Sequence, residues 1–458
     1  MPDPRTWRYA GLSAVLGLAV AAGSVAVAGP WDTGQRKAER DRVAASRTTG
    51  GAHHDATAPE GPAPAPSAPG VLAALGAPAA APAPLARTLD PLLADPALGT
   101  RQAASVVDVA SGRTLYASGA GDLMTPASTV KIATAAAALT ALGPDHRFAT
   151  TATATPDGRT VTLVGGGDTT LDGARLRRLA RDAARALRDL GAGPVRVAYD
   201  TSLFTGPELH PISPNENIAA VTALMVDEGR LDGSYSGPAA RTGTPAKDAA
   251  LAFARALATA GVPVQGDPVP ARSPRGAKPL ARTLSAPLSA VVERMLTHSD
   301  NDIAEALTRH TALASGRPAS FTGGELAVRT RLASLGAPVA GARFADGSGL
   351  DRTDKVSATL LTTLLARAAD PGHPELRPIL TGLPVAGFSG TLRTRSDQAS
   401  GGLVRAKTGT LSSVDTLAGT AVTPEGRLVA FAFLASGTRS ADTARPALDR
   451  LTRALVTH

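Results

Sequence analysis

Ser128 and Lys131 stand three residues apart in TPASTVKIATAAAALTAL (125–142). On a helix that spacing puts two side chains on one face, within reach of each other. A serine hydroxyl is a poor nucleophile until a base accepts its proton. A lysine amine stays protonated near pH 7 in water, but burial in apolar surroundings pushes its pKa down. The chain is sparing with lysine: of its 47 basic residues, six are lysine and 41 are arginine. Arginine supplies charge but does not give up its proton, so a lysine set among alanine, threonine and valine suggests that its proton matters. Ser128 also falls in the first turn, where unpaired backbone N–H groups and the positive helix end favour negative charge. The two make a nucleophile and its base. A solvent-facing lysine on an ordinary helix has the same spacing, and the pattern alone favours that plainer reading.

Two further stretches shift the balance. HSDNDIAEAL (298–307) holds Ser299, Asp300 and Asn301 at the start of an expected helix, and VRAKTGTL (404–411) holds Lys407, Thr408 and Gly409 in an expected strand. Ser-Asp-Asn is also ordinary helix-capping chemistry, and Lys-Thr-Gly can end a strand without consequence. All three together, in this order and each in its fitting element, form the set S-x-x-K, S-D-N and K-T-G of serine acyl-transfer enzymes that handle β-lactams.

Other chemistries find little support. There is no cysteine, so thiol catalysis and Cys-based metal sites are excluded. No Gly-x-Ser-x-Gly elbow, Walker loop or His-Glu-x-x-His pattern occurs. The eight histidines are dispersed; His298 reads as capping or packing, and His53-His54 as a weak metal binder at most. No metal or cofactor is called for. The net charge of +8 comes from scattered arginine, and 3% aromatic residues leave no base-stacking surface, so nucleic acid is not an expected partner.

The elements that must position these residues are legible in outline. ASVVDVASGRTLYAS (104–118) reads as a hairpin. The helix of Lys131 has Thr125 as N-cap, Pro126 at its first position and Gly143-Pro144 as its stop. Residues 147–171 alternate like short antiparallel strands, 176–193 form an amphipathic helix and 195–204 return to strand. Helical patterns resume at 284, and the end of the chain reads as a strand meander turning at Pro424–Gly426. Strands and helices are segregated, which predicts an α+β protein carrying an insertion.

Arg5 and Arg8 precede residues 9–29, which carry no charge, as in a secretory signal peptide or a signal-anchor helix. Residues 30–86 are Pro/Ala-rich and read as a disordered linker. Both place the bulk of the chain outside the cytoplasm, secreted or held by a single span.

From about residue 89 to the C-terminus the sequence resembles the D-alanyl-D-alanine carboxypeptidase/endopeptidase family, the class C low-molecular-mass penicillin-binding proteins. Beyond the three catalytic stretches, LVGGGDTTL (163–171), DTSLF (200–204), VDEGR (226–230), FADGSGLDR (344–352) and LPVAGFSGTLRTR (383–395) carry the likeness. The resemblance implies a transpeptidase-type domain, an antiparallel sheet flanked by helices, split into 87–147 and 286–458 around an inserted α/β domain at 148–285. A third domain nested in the insertion is expected to be absent or reduced to a loop near 231–247.

Carried over, Ser128 is the acylated nucleophile, Lys131 its base and Ser299 the proton relay to the leaving group. Asn301 orients substrate and Lys131, while Lys407 and Thr408 bind the terminal carboxylate. Gly409 keeps the strand edge clear for substrate, and backbone N–H groups of Ser128 and Thr410 form an oxyanion hole. Arg352 and Leu411 line a pocket for the diaminopimelate side chain, with Glu216 as a candidate acidic partner. The expected partners are peptidoglycan stem peptides, β-lactams as inhibitors, and a membrane if the N-terminal helix is kept. A β-lactamase and a non-turnover β-lactam or peptidoglycan sensor are the alternatives.

Overall fold

The structure is a computed structural model that describes residues 85–212, 214–395 and 400–457. The expected signal or anchor at 1–29 and nearly all of the expected linker lie outside the described residues. Among the described residues no helix is long and apolar enough to cross a membrane.

Chain order runs α1 (Ala86–Leu93), β1 (Arg101–Asp108), β2 (Thr114–Ser118), α2 (Lys131–Leu142), β3 (Ala149–Ala154), β4 (Thr160–Val164), α3 (Gly173–Asp189) and β5 (Arg196–Asp200). It continues with α4 (Pro245–Thr259), β6 (Val269–Pro270), β7 (Lys278–Leu284), α5 (Leu288–His298), α6 (Asn301–Ala314) and α7 (Phe321–Ser334). The last elements are α8 (Ala358–Ala369), α9 (Arg377–Gly382), β8 (Val404–Leu411), β9 (Val414–Val422), β10 (Leu428–Ser436) and α10 (Ala441–Thr457).

One sheet, in the order β2-β1-β10-β9-β8, is antiparallel throughout. Its middle strands are buried on both faces, and their side chains sort by size. Phe431 and Phe433 pack with Leu89 of α1 and Leu448 and Leu451 of α10. Ala430 and Ala432 face the other way, into a core with α2 and α8. Small residues on this face let helices approach closely. Nine consecutive residues of α2, Lys131 to Leu139, are buried; a thin alanine helix fits the centre of a domain and keeps high helix propensity.

The second sheet, β6-β5-β4-β3-β7, is formed by residues 149–284 and mixes antiparallel with parallel pairs. Leu176, Leu179, Ala183 and Leu187 recur at helical spacing and bury one face of α3 against it. Between β5 and α4, the described residues of 201–244 hold only turns, bends, bridges and one short 3-10 turn, and 231–244 carry no helix or strand.

Two local expectations change. Thr125 does not cap α2: a 3-10 turn at Ala127–Val130 precedes the α-helix, and Thr125 Oγ1 instead donates to the Arg352 carbonyl at 3.2 Å and accepts from Lys355 Nζ at 2.7 Å. Ala127 takes φ +48°, a conformation L-residues reach at a cost. The chain end is not all strand, because α10 follows the meander. α1 starts at Ala86, the last residue of the stretch expected to be linker.

Candidate active site

Four pieces of chain converge: the 3-10 turn and first residue of α2, the start of α6, the turn at 345–351, and β8. Ser299 ends α5 in a left-handed conformation, φ +58° and ψ +39°. Asp300 then caps α6, its side chain accepting from the Ile303 N–H at 3.0 Å. The capping role of Ser-Asp-Asn is real, and it belongs to the aspartate. The turn leaves Ser299 facing the groove and places Asn301 on the first helical position.

Lys131 is fully buried. Its Nζ lies 3.0 Å from Ser128 Oγ, 2.7 Å from Asn301 Oδ1 and 2.5 Å from the Ser348 carbonyl oxygen. An ammonium spends its three protons on these three acceptors. A neutral amine donates only twice, to Asn301 and Ser348, and its lone pair then faces the Ser128 hydroxyl. Burial pushes the Lys131 pKa down to about 8, against the opposing charges of Asp346, Glu305, Asp300 and Asp354.

Lys407 is also fully buried, and its Nζ donates to the Thr408 carbonyl at 2.7 Å. Burial holds its pKa well below the usual lysine range, and the charge of Lys131 adds to the effect. β8 is an edge strand. Ala406 N–H bonds to Pro384 and Val404 C=O accepts from Ala386 on the outer side. By strand alternation, the backbone groups of Thr408 and Thr410 face the same side. Residues 384–386 cover only the first half of that edge. A groove of about 1050 Å³ runs past it, lined by Ser128, Ser299, Thr391, Thr408 and Thr410 among others.

Packing alone calls for Gly409. A Cβ there would stand 2.2 Å from Thr416 Oγ1, 2.8 Å from the Pro126 carbonyl and 3.1 Å from Ala127 Cβ. The glycine lets the nucleophile turn pack onto β8. Arg352 and Leu411 lie at the far end of β8, where the guanidinium donates to the Ser412 carbonyl at 2.7 Å; neither lines the groove. Glu216 is exposed, and only its backbone is tied in, accepting from Ala239.

Sequence reasoning gave no role to the residues behind Lys131. Gly347 N–H and Ser348 N–H both donate to Glu305 Oε1, at 3.1 and 2.9 Å. Asp346 accepts from Gly349 N–H at 2.6 Å and Asp351 N–H at 2.7 Å. The visible signal is the pair of glycines around Ser348: at 349, φ is +82° and a Cβ would meet the Ala127 carbonyl at 2.0 Å. Asp346 is held down at about 2: the bond from His210 and the backbone N–H donors outweigh burial, which pushes the other way. Glu305, with burial as the main cause and Asp346 next, is pushed up to about 7.

A second charged cluster supports α6 from the other side. Buried Glu228 accepts from Arg230 Nε at 2.8 Å and from Arg294, and Arg241 lies 3.1 Å from Asp302. Asp302 also accepts from the Ala219 N–H at 2.9 Å, and Asn301 Nδ2 donates to the Asn217 carbonyl at 2.9 Å. The stretch 215–241 is thereby fastened beside Ser299 and Asn301.

The family model described as D-Ala-D-Ala carboxypeptidase 3 (S13) matches residues 85–240 and 236–455. Carboxypeptidase DacB of Mycolicibacterium smegmatis is 37% identical over 435 residues, covering 90% of this chain and 93% of that protein. A D-alanyl-D-alanine carboxypeptidase of Actinomadura sp. is 31% identical over 443 residues, covering 77% of this chain and 81% of its own length. In fold, the crystal structure of penicillin binding protein 4 from Haemophilus influenzae superposes with a TM-score of 0.67 at 23% identity, over 80% of this chain and 97% of that one. The motifs, the α+β fold and these matches agree: the chain belongs to the D-Ala-D-Ala carboxypeptidase 3 (S13) family, a family of serine hydrolases.

Proposed function

We propose that Ser128 is the nucleophile with which this serine peptidase cleaves the D-Ala-D-Ala end of peptidoglycan stem peptides. The observation that carries the assignment is the buried amine of Lys131, 3.0 Å from Ser128 Oγ. Neutral Lys131 takes the hydroxyl proton as Oγ attacks the carbonyl carbon of the penultimate residue. The oxyanion is received by backbone N–H groups of Ser128 and Thr410. Collapse expels D-alanine, whose nitrogen takes a proton through Ser299, and water then hydrolyses the ester with Lys131 as base.

Lys407 and Thr408 receive the substrate carboxylate. No carboxylate pairs with Lys407 among the described residues, so the substrate would supply the counter-charge that this buried amine lacks. β-Lactams would acylate the same serine; a crystal structure of the Haemophilus protein carries one. Residues 148–285 as an inserted domain and an N-terminal segment that exports or anchors the chain complete the reading; Arg352 and Leu411, outside the groove at the far end of β8, would touch only a stem-peptide side chain long enough to extend past it. An extracytoplasmic site follows from the substrate.

Incubating the protein with purified muropeptides and resolving products by mass tests it. Loss of one alanine marks carboxypeptidase action and splitting of dimers marks endopeptidase action. Both should vanish in Ser128→Ala. Turnover that survives the substitution would remove Ser128 from the mechanism.

A further inference from the structure

The carbonyl of Ser348 is the shortest contact of Lys131, and the turn that carries it is held almost entirely by carboxylates. Ala345 N–H donates to Asp354 at 2.6 Å, Gly347 and Ser348 to Glu305, and Gly349 and Asp351 to Asp346. Asp346 Oδ2 receives two side-chain donors as well: Ser348 Oγ at 3.1 Å, from within the turn, and His210 Nε2 at 2.8 Å. His210 is the donor that comes from elsewhere, out of the long segment between β5 and α4.

That segment is not loosely placed. Arg309 of α6 donates to the carbonyls of Thr205 and Ala319 at 2.6 Å and of Pro207 at 2.9 Å, and its guanidinium stacks 4.3 Å above the Phe321 ring. His210 is buried, with its ring edge-on to Phe321. Ile212 N–H donates to His210 Nδ1 at 3.3 Å, so Nδ1 is the acceptor and Nε2 carries the proton given to Asp346.

We propose that His210 is a positioning residue for acylation: by holding Asp346, it sets the turn whose Ser348 carbonyl fixes Lys131 Nζ against Ser128 Oγ. It rests on the assignment of Ser128 and Lys131 as nucleophile and base. The groups facing Lys131 are Asp346, Glu305, Asp300 and Asp354, with Lys407 beside it; those facing His210 are Asp346, Glu305 and Asp351. Removing the imidazole takes one strut from the turn and also lifts its hold on the carboxyl groups of Asp346 and Glu305, which it favours in their ionised forms. The contact also links the substrate-side segment, which reaches Asn301 through Asn217, to the setting of the base.

The test compares His210→Phe, which keeps a ring, with His210→Gln, whose amide can still donate to Asp346, in the full chain. The acylation rate constant with benzylpenicillin is measured per active site, after titration of the sites that can be labelled. His210→Phe should slow acylation about 10- to 100-fold, what the loss of a hydrogen bond to a charged group is worth, while His210→Gln stays within about threefold of the parent. A merely structural role would lower the fraction of labelled sites and leave the rate per site unchanged, which would overturn the proposal. Equal slowing in both variants would overturn it too, because the ring and not the N–H would then matter. If His210→Phe does not fold, His210→Asn, polar but too short to reach, takes its place with the same expectation. Failure of the parent to acylate at Ser128 would sink the nucleophile assignment instead.

Discussion

The pH dependence of acylation follows from the burial of Lys131. With a pKa near 8, the amine is neutral in about one molecule in eleven at pH 7, against about one in three thousand at the ordinary value of 10.5. Burial therefore raises the available base about 300-fold, equivalent to ~3.4 kcal/mol. The group must lose its proton to act, so the rate rises with pH through the limb. Acylation should fall about ninefold from pH 7 to 6, rise about fivefold from pH 7 to 8, and gain no more than about twofold beyond pH 8. Glu305, pushed up to about 7, ionises in the same window and its charge favours protonated Lys131, so the limb should be shallower than that of one isolated group. The assay is stopped-flow or quenched acylation by benzylpenicillin between pH 5.5 and 9.5, with intact-mass readout of the adduct. Lys131→Arg keeps the charge but cannot serve as base, and should lose about a thousandfold or more. A flat profile from pH 6 to 9, a midpoint near 10, or an active Lys131→Arg variant would each refute a buried neutral lysine as the base.

Three other outcomes follow from the contacts. Asn301→Ala removes one acceptor of Lys131 and the tie to Asn217, and should slow acylation by about 10- to 100-fold, read as the rate per labelled site. Gly409→Ala forces a Cβ against Thr416, Pro126 and Ala127; a loss of about 1–3 kcal/mol by urea denaturation, with impaired acylation, is expected, and an unchanged midpoint would deny the close packing of the nucleophile turn on β8. Glu228→Ala removes a buried carboxyl that burial and Asp300 push up to about 9 and takes one acceptor from Arg230 and Arg294, which keep Ser234, Gly237 and Tyr235; it should cost about 1–3 kcal/mol, measured the same way.

How much of this was legible beforehand depends on whether a residue is placed by its neighbours in sequence or by distant chain. Periodicity marked the alanine helix, the amphipathic α3 and the β8–β10 meander, because side-chain patterning along one segment is a local property. The chain-terminal helix α10 was missed: it carries Pro446 within it and mixes arginine, alanine and threonine, so its apolar stripe shows mainly once the sheet face it covers is known. The start of α2 was misread for a similar reason. Thr125 has the composition of a cap, but contacts with Arg352, Lys355, β8 and Gly349 draw that stretch into a 3-10 turn.

For the site, the sequence by itself determined which groups exist to do chemistry: a serine and a lysine one turn apart, a Ser-Asp-Asn turn, a Lys-Thr-Gly strand. Only the tertiary structure decided that Asn301 and Ser348 meet Lys131, across 170 and 217 positions. It also decided that both lysines are sealed from water, and that Asp346, Glu305 and His210 stand behind one of them. Spacing along a chain sets neighbours over a turn or a strand. Desolvation and the field of distant charges, which make an amine basic enough to act yet neutral enough to begin, arise only when the packed chain excludes water around it.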